Sequence, residues 1–301
     1  FAVDFFDKIL GMDFYNGFYS DGSCLDLFYC NYDDDKKKKI ETRSWRTKYR
    51  GELYIHASIS NVPKERFNNE DFRELIKDVK LNHGYIICKC NLVDCIYMTK
   101  EYIENLKKDN YQEYLCGHYE EGRYSWVLED VEEINPIKAK GQLGIWNYYK
   151  PKEVLELMAE IEYYDVINES YKLQSPKDIL KSKKGICWDQ VELERYYLKN
   201  NETIKTYFIV NYDDDMKTHT FLTYKENDKY YWLEHAWEKY SGIHEYKEEI
   251  EMLKDIKEKF IKELKNCKEE NIVLREYSKP KYNIYSKDFF NHCEQGKIIV
   301  L

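Results

Sequence analysis

The sequence predicts an α+β protein built as two domains, residues 1–148 and 149–301. Three observations carry this. A chain of 301 residues has room for two cores of ordinary size. Before residue 148, short apolar or alternating runs read as strands with few long helices. After Pro151, helical segments come first and a block of strands follows.

The elements follow in order. Gly51-Glu52-Leu53-Tyr54-Ile55-His56-Ala57, Gly84-Tyr85-Ile86-Ile87-Cys88-Lys89-Cys90 and Tyr124-Ser125-Trp126-Val127-Leu128 read as strands. Residues 68–80 and 99–108 are polar enough to be helices laid over such a sheet. Glu153 to Ile161 reads as a helix. Ser175-Pro176-Lys177-Asp178 is a helix start, with Ser175 as N-cap and Pro176 at the first helical position. An amphipathic helix begins at Cys187. The strands Thr218-His219-Thr220-Phe221 and Lys229 to Trp237 come next, with Asn227-Asp228 as the hairpin turn between them. A long charged helix spans 247–266 and a short one follows Ser286.

Hydrophobic residues make up 43% and charged residues 34%, the profile of a soluble globular chain. A formal charge of −9 argues against coating nucleic acid through net charge alone. No run of about 18 apolar residues exists to form a membrane span, so no membrane partner is expected. Nine irregularly spaced cysteines do not look like a disulfide framework. A reducing, cytoplasmic setting is therefore expected. Asn-Tyr-Asp-Asp-Asp occurs at 31–35 and again at 211–215, and both copies read as solvated turns.

Arg43, Arg46, Lys48 and Arg50 are interleaved with Trp45 and Tyr49. Guanidinium groups hold phosphates through paired donors, while flat rings stack on unpaired bases. A basic edge strand that resists aggregation is the plainer reading. The stretch Lys38-x-x-Glu41-x-Arg43-x-Trp45, then Tyr49-Arg50-Gly51-x-Leu53-x-Ile55-His56, resembles an ASCH domain of the PUA-like superfamily. Leu92-Val93-Asp94-Cys95, Gly122 to Asp130 and Lys140 to Trp146 agree with it, so the resemblance covers roughly residues 24–148. It implies a small β-barrel-like α+β fold that handles single-stranded RNA or a modified nucleoside in a cleft. Lys38, Glu41, Arg43, Trp45 and Arg50 would line that cleft. The sequence departs from the family at Lys36 and over Phe28 to Asp35, where three aspartates would repel phosphate.

Cys88, Cys90, Cys95, Cys116 and His118 could suggest a metal site. Their spacing is not the usual Cys-x-x-Cys knuckle and their neighbours are apolar, so core packing is the expectation and no metal or cofactor is assigned.

The chemistry is expected in the second domain. Cys187 stands where an apparent loop becomes a helix, and the positive end of the helix dipole favours thiolate over thiol. His219 and then Glu234 follow on neighbouring strands. Glu234, among Trp232, Leu233, Ala236 and Trp237, needs a partner, and an imidazole N–H is the natural one. His235 points to the opposite face and is not assigned to the triad. This order resembles bacterial transglutaminase-like enzymes of the papain-like class over about residues 155–301. Gly185-x-Cys187-Trp188, His219-Thr220-Phe221 and Trp232-x-Glu234 carry the match, with Glu234 where the family more often has Asp. The resemblance implies acyl transfer on a protein, peptide or other amide substrate, with water or an amine as acceptor. Two other readings stand beside it. One is an RNA- or nucleoside-binding protein whose second half is an inert interaction platform. The other is a nucleoside amidohydrolase acting through Lys38 and Glu41.

Overall fold

A computed structural model of the chain describes residues 38–57, 64–77, 82–164, 170–213, 216–265 and 267–301. They fall into two units, Phe1–Ile137 and Lys138–Leu301. The division lies ahead of residue 148, and the Lys140 N–H already donates to the Asn200 carbonyl of the second unit (2.8 Å). Asn31 to Asp35 and the departure over Phe28 to Asp35 lie outside the described residues.

The first unit carries β1 (Ile40–Arg43), β2 (Gly51–Ala57), α1 (Glu70–Ile76), β3 (Tyr85–Tyr97), α2 (Lys100–Asp109), α3 (Tyr111–Leu115) and β4 (Tyr124–Lys138). Its four-stranded sheet has the order β1-β4-β3-β2. The alternating runs at 84–90 and 124–128 are the buried starts of β3 and β4. Both strands continue well beyond them, β4 with hardly any burial past Leu128. Periodicity marks only the part of a strand that has a core to face. α1 and α2 occupy the two expected helical segments, capped by Asn69 and Thr99, whose side chains accept from Phe72 N and Tyr102 N.

The second unit opens with α4 (Pro151–Met158), where Pro151 takes the first helical position and Glu153 accepts from Lys150 N at 2.8 Å. The two-residue strands β5 (Glu162–Tyr163) and β6 (Lys184–Gly185) pair in parallel around α5 (Pro176–Ser182). Ser175 caps α5 as expected, with Asp178 reaching back in a capping box. Then come α6 (Cys187–Tyr197), β7 (Lys205–Asn211), β8 (Thr218–Glu226), β9 (Lys229–Glu234), β10 (Gly242–Tyr246), α7 (Glu249–Lys262), β11 (Ile272–Glu276), α8 (Ser286–Glu294) and β12 (Lys297–Ile299).

The second sheet has the order β10-β9-β8-β7-β11-β12, and every neighbouring pair is antiparallel. Leu222, Leu233 and Phe208 pack with α6, and Phe221, Trp232 and Ile209 pack with α7. β8 and β9 are joined at Asn227 and Asp228, both left-handed (φ 48° and 61°), as a two-residue hairpin with matching twist requires.

The expectation of an amphipathic helix at Cys187 is corrected. Every residue of α6 from Cys187 to Glu194 is buried, including Asp189, Glu192 and Glu194. α6 packs on β8 while also touching α4 and α5, so it has no solvent face over this stretch.

Candidate functional site

α6 begins where Asp189, at its third position, accepts from the Ile186 N–H at 3.0 Å. The same carboxylate takes Gln174 N at 2.8 Å and the Tyr171 hydroxyl. Burial pushes the Asp189 carboxyl up, and these hydrogen bonds oppose the shift. The turn that presents Cys187 is thus anchored by a buried acid on its own helix. Gly185 sits in that turn against the Asp189 side chain, where an added Cβ would come within 2.9 Å of Asp189 Cβ. Only glycine lets the chain pass this closely.

His219, near the start of β8, is buried. Its Nε2 lies 2.8 Å from Glu234 Oε2, at the end of β9. Glu234 also accepts from Trp232 Nε1 (3.2 Å) and from the Trp237 N–H (2.8 Å), so both its oxygens are engaged. The Trp237 ring stands edge-on to the imidazole at 5.1 Å. His219 is also hydrogen-bonded to Cys187, and Nδ1 is the nitrogen left for that bond. Burial is the largest single influence on His219 and pulls its affinity for a proton down. The Glu234 carboxylate and the hydrogen bonds to Cys187 and Glu234 outweigh it and push the group up to about 10. The structure therefore brings Cys187, His219 and Glu234 together. Trp188 covers the site from the helix, with its Nε1 on Thr218 Oγ1 (3.2 Å) and its ring against Phe289.

A pH dependence of stability follows. The folded imidazole holds its proton up to about 10, against about 6.5 for an unperturbed histidine. Its stabilising contribution is complete below about 6.5 and disappears as pH rises through about 10. Urea midpoints should fall across that span, and His219→Gln should flatten the decline. An unchanged decline in the variant would contradict the pairing.

Sequence reading missed three buried acids on α6. Glu192 is held by Arg195 (3.2 Å), Tyr277 (3.2 Å) and Tyr282 (3.4 Å). Glu194 Oε2 has no hydrogen-bond partner among the described residues, and burial together with the Glu234 carboxylate pushes its carboxyl well above the usual range. Asp189 is the third. No periodic signal finds such groups, because acids in a helix are read as its wet face.

In the first unit, Lys38 and Glu41 are buried. Lys38 Nζ lies 3.5 Å from Glu41 Oε2 and donates to the Ile40 carbonyl at 2.5 Å. Arg43 pairs with Glu41 Oε1 at 2.5 Å and sits over the Trp126 ring. Trp45 packs edge-on to Trp126 at 4.7 Å and is 38% exposed, so one face of the pair reaches solvent. Arg50 goes elsewhere, pairing with Asp94 of β3 at 3.0 Å. Lys38, Glu41, Arg43 and Trp45 thus form one connected group.

Residues 35–138 match the ASCH domain family. This stretch is an ASCH domain. An ASCH domain is a PUA-like fold, and its presence points to RNA or nucleoside binding. The match ends at residue 138, so the transglutaminase-like resemblance of residues 155–301 rests on its own residues. No curated protein matches the chain.

Within the ASCH domain, Arg43 ends the edge strand β1, and the rest of the basic segment, residues 44–50, is the loop between β1 and β2. It exposes Trp45, Arg46, Lys48, Tyr49 and Arg50. A further acid, Glu113 of α3, was not singled out from sequence. It is buried, accepts from Lys39 N (2.8 Å) and the Tyr119 hydroxyl (3.0 Å), and its carboxyl is pushed up by burial. Cys88, Cys90, Cys95 and Cys116 are buried. Among the described residues, no three His, Cys, Asp or Glu side chains gather as metal ligands. No helix among them is long and apolar enough to cross a membrane.

Proposed function

We propose that the second unit is a cysteine-dependent acyl-transfer enzyme acting on an amide or peptide. The observation that carries this is the chain of contacts from Cys187 at a helix start, through a buried His219, to a fully engaged Glu234. In this reading the Cys187 sulfur attacks the amide carbonyl and the C–N bond breaks. His219 delivers its proton to the departing amine, leaving a thioester on Cys187. Water or a second amine then attacks the thioester carbonyl, giving its proton to His219, and the Cys187 sulfur leaves. Glu234 fixes the ring so that Nδ1 faces the sulfur, and it balances the imidazolium charge. The first backbone N–H groups of α6 are available to the developing oxyanion.

The test is selective alkylation. Iodoacetamide at pH 6 to 7 should modify Cys187 well before the other eight cysteines, and His219→Ala should slow that reaction. Uniform labelling of all nine, as measured by peptide mass, would sink the enzyme reading. The inert-platform alternative would then stand.

For the ASCH domain we propose a single-stranded RNA or nucleoside ligand, held at the β1–β2 loop by Trp45 and its neighbouring cations. Arg50→Ala should reduce the slope of log affinity against log salt by about 0.7 for single-stranded RNA. Trp45→Ala should cost about 1–3 kcal/mol, by base-stacking magnitudes, with little change in slope. Absence of binding to RNA and to free nucleosides at low salt would leave the domain a structural module. Chemistry at Lys38 and Glu41 is a second reading, favoured by their burial beside Glu113. Nucleoside amide cleavage that survives Cys187→Ala and is lost in Glu41→Gln would select it.

A further inference from the structure

The residue after Glu234 is a second histidine, which the triad does not use. His235 Nδ1 lies 2.7 Å from Gln190 Oε1, and Gln190 Nε2 donates to the Gly185 carbonyl at 2.9 Å. The amide can be oriented only one way. Turned over, its oxygen would face the Gly185 carbonyl, two acceptors with no proton between them. Gln190 Oε1 therefore accepts, and His235 Nδ1 carries the proton. Gln190 is fully buried, and His235 is half-buried with its imidazole held below the ordinary value by that burial.

The placement of this bridge is what gives it a role. Gly185 stands two residues before Cys187, and Gln190 lies on the first turn of α6 after it. His235 directly follows Glu234 at the end of β9. His235 lies one residue past the strand, and its bond to Gln190 fixes its direction. Glu234 turns to the His219 imidazole while His235 turns to α6. We propose that His235 and Gln190 are positioning residues that staple the end of β9 to the turn presenting Cys187, and so set the distance between thiol and imidazole. The proposal rests on the acyl-transfer reading of Cys187 given above.

Apolar contacts already hold α6 against β8, with Val191, Leu193 and Leu222 in one core. Stability alone does not call for a buried polar chain here, since burying an amide and an imidazole carries a desolvation cost that apolar side chains avoid. What the bridge adds is directionality. Hydrogen bonds fix the register of two element ends that van der Waals contact would leave free to slide.

The experiment measures iodoacetamide alkylation of Cys187 in the full chain as a function of pH, with urea unfolding as the control for folding. His235→Leu and Gln190→Met should slow alkylation by about ten- to a hundred-fold, the scale expected for a reacting group displaced by an ångström or less. His235→Asn places an N–H donor where Nδ1 stands and should recover most of the rate. A folded His235→Leu that alkylates at the wild-type rate overturns the proposal. So does a folded His235→Asn as slow as the leucine variant. If His235→Leu does not fold, Gln190→Met and His235→Asn decide by the same criteria. A wild-type Cys187 that is no more reactive than the other cysteines overturns the underlying enzyme reading before any variant is compared.

Discussion

Glu234→Gln should lower acyl transfer by about four orders of magnitude while the fold survives, as when a triad carboxylate becomes its amide. The geometry explains the size of the loss. Glu234 accepts from three N–H groups, His219 Nε2, Trp232 Nε1 and Trp237 N. Glutamine has one accepting oxygen, so its NH₂ must confront a donor. If it faces His219, the ring proton is forced onto Nδ1, the nitrogen that must receive a proton from the attacking group. Glu234→Asp keeps three lone-pair directions but falls one methylene short, so part of the rate should remain. Asp228→Asn should change little, because that side chain is 97% exposed at the hairpin turn and pairs with Lys225 at the surface. Rates with a chromogenic amide, or single-turnover alkylation of Cys187, measure all three. Loss of activity in Asp228→Asn with retention in Glu234→Gln would reverse the assignment.

Arg195→Ala should destabilise the second unit by about 3–5 kcal/mol, the cost of stripping a buried charge of its partner. Glu192 is fully buried, and Arg195 meets it at 3.2 Å while also donating to Thr206 Oγ1 and covering the Tyr277 ring. With the guanidinium gone, the hydrogen-bond partners left to Glu192 among the described residues are the hydroxyls of Tyr277 and Tyr282, with the Lys279 charge acting without a hydrogen bond. Glu192→Gln should cost less, because those hydroxyls still satisfy a neutral amide. Urea midpoints at constant slope give both values. Equal losses in the two variants would mean that packing, not charge, is what Arg195 supplies.

The contrast between these residues shows what a sequence can display. Ser175-Pro176 announces α5, and Asn227-Asp228 announces the β8–β9 turn, because capping and left-handed turns are local chemistry. Cys187 was legible for the same reason, since a glycine turn entering a helix is written in a few adjacent positions. Glu192, Glu194 and Gln190 were not legible. Their meaning comes from Tyr277, Glu234 and His235, which the fold brings in from 40 or more residues away, Tyr277 from 85. The sequence pattern offers Lys38 and Glu41 as cleft-lining residues, and nothing local in it tells that both are buried and ion-paired to each other. A charged pair inside a domain and a charged pair on its rim are spelled alike. β4 runs past its legible start because its outer half has no core to face. β3 keeps Leu92 and Cys95 buried past Cys90 but loses the regular alternation at Val93 and Asp94.

His219 and Glu234 sit on the two arms of one hairpin, 15 residues apart in the chain and joined by a two-residue turn. Hairpins of this kind close in about 1–10 μs, long before contacts between distant segments are made. The imidazole–carboxylate pair can therefore assemble early and locally, with no help from α6. Cys187 is translated earlier than either residue, yet its helix needs the finished sheet beneath it to bury its three acids. Cys187 thus meets the imidazole only once tertiary structure is complete. A nascent or partly unfolded chain therefore carries the two halves of the candidate site apart, and only the finished fold unites them.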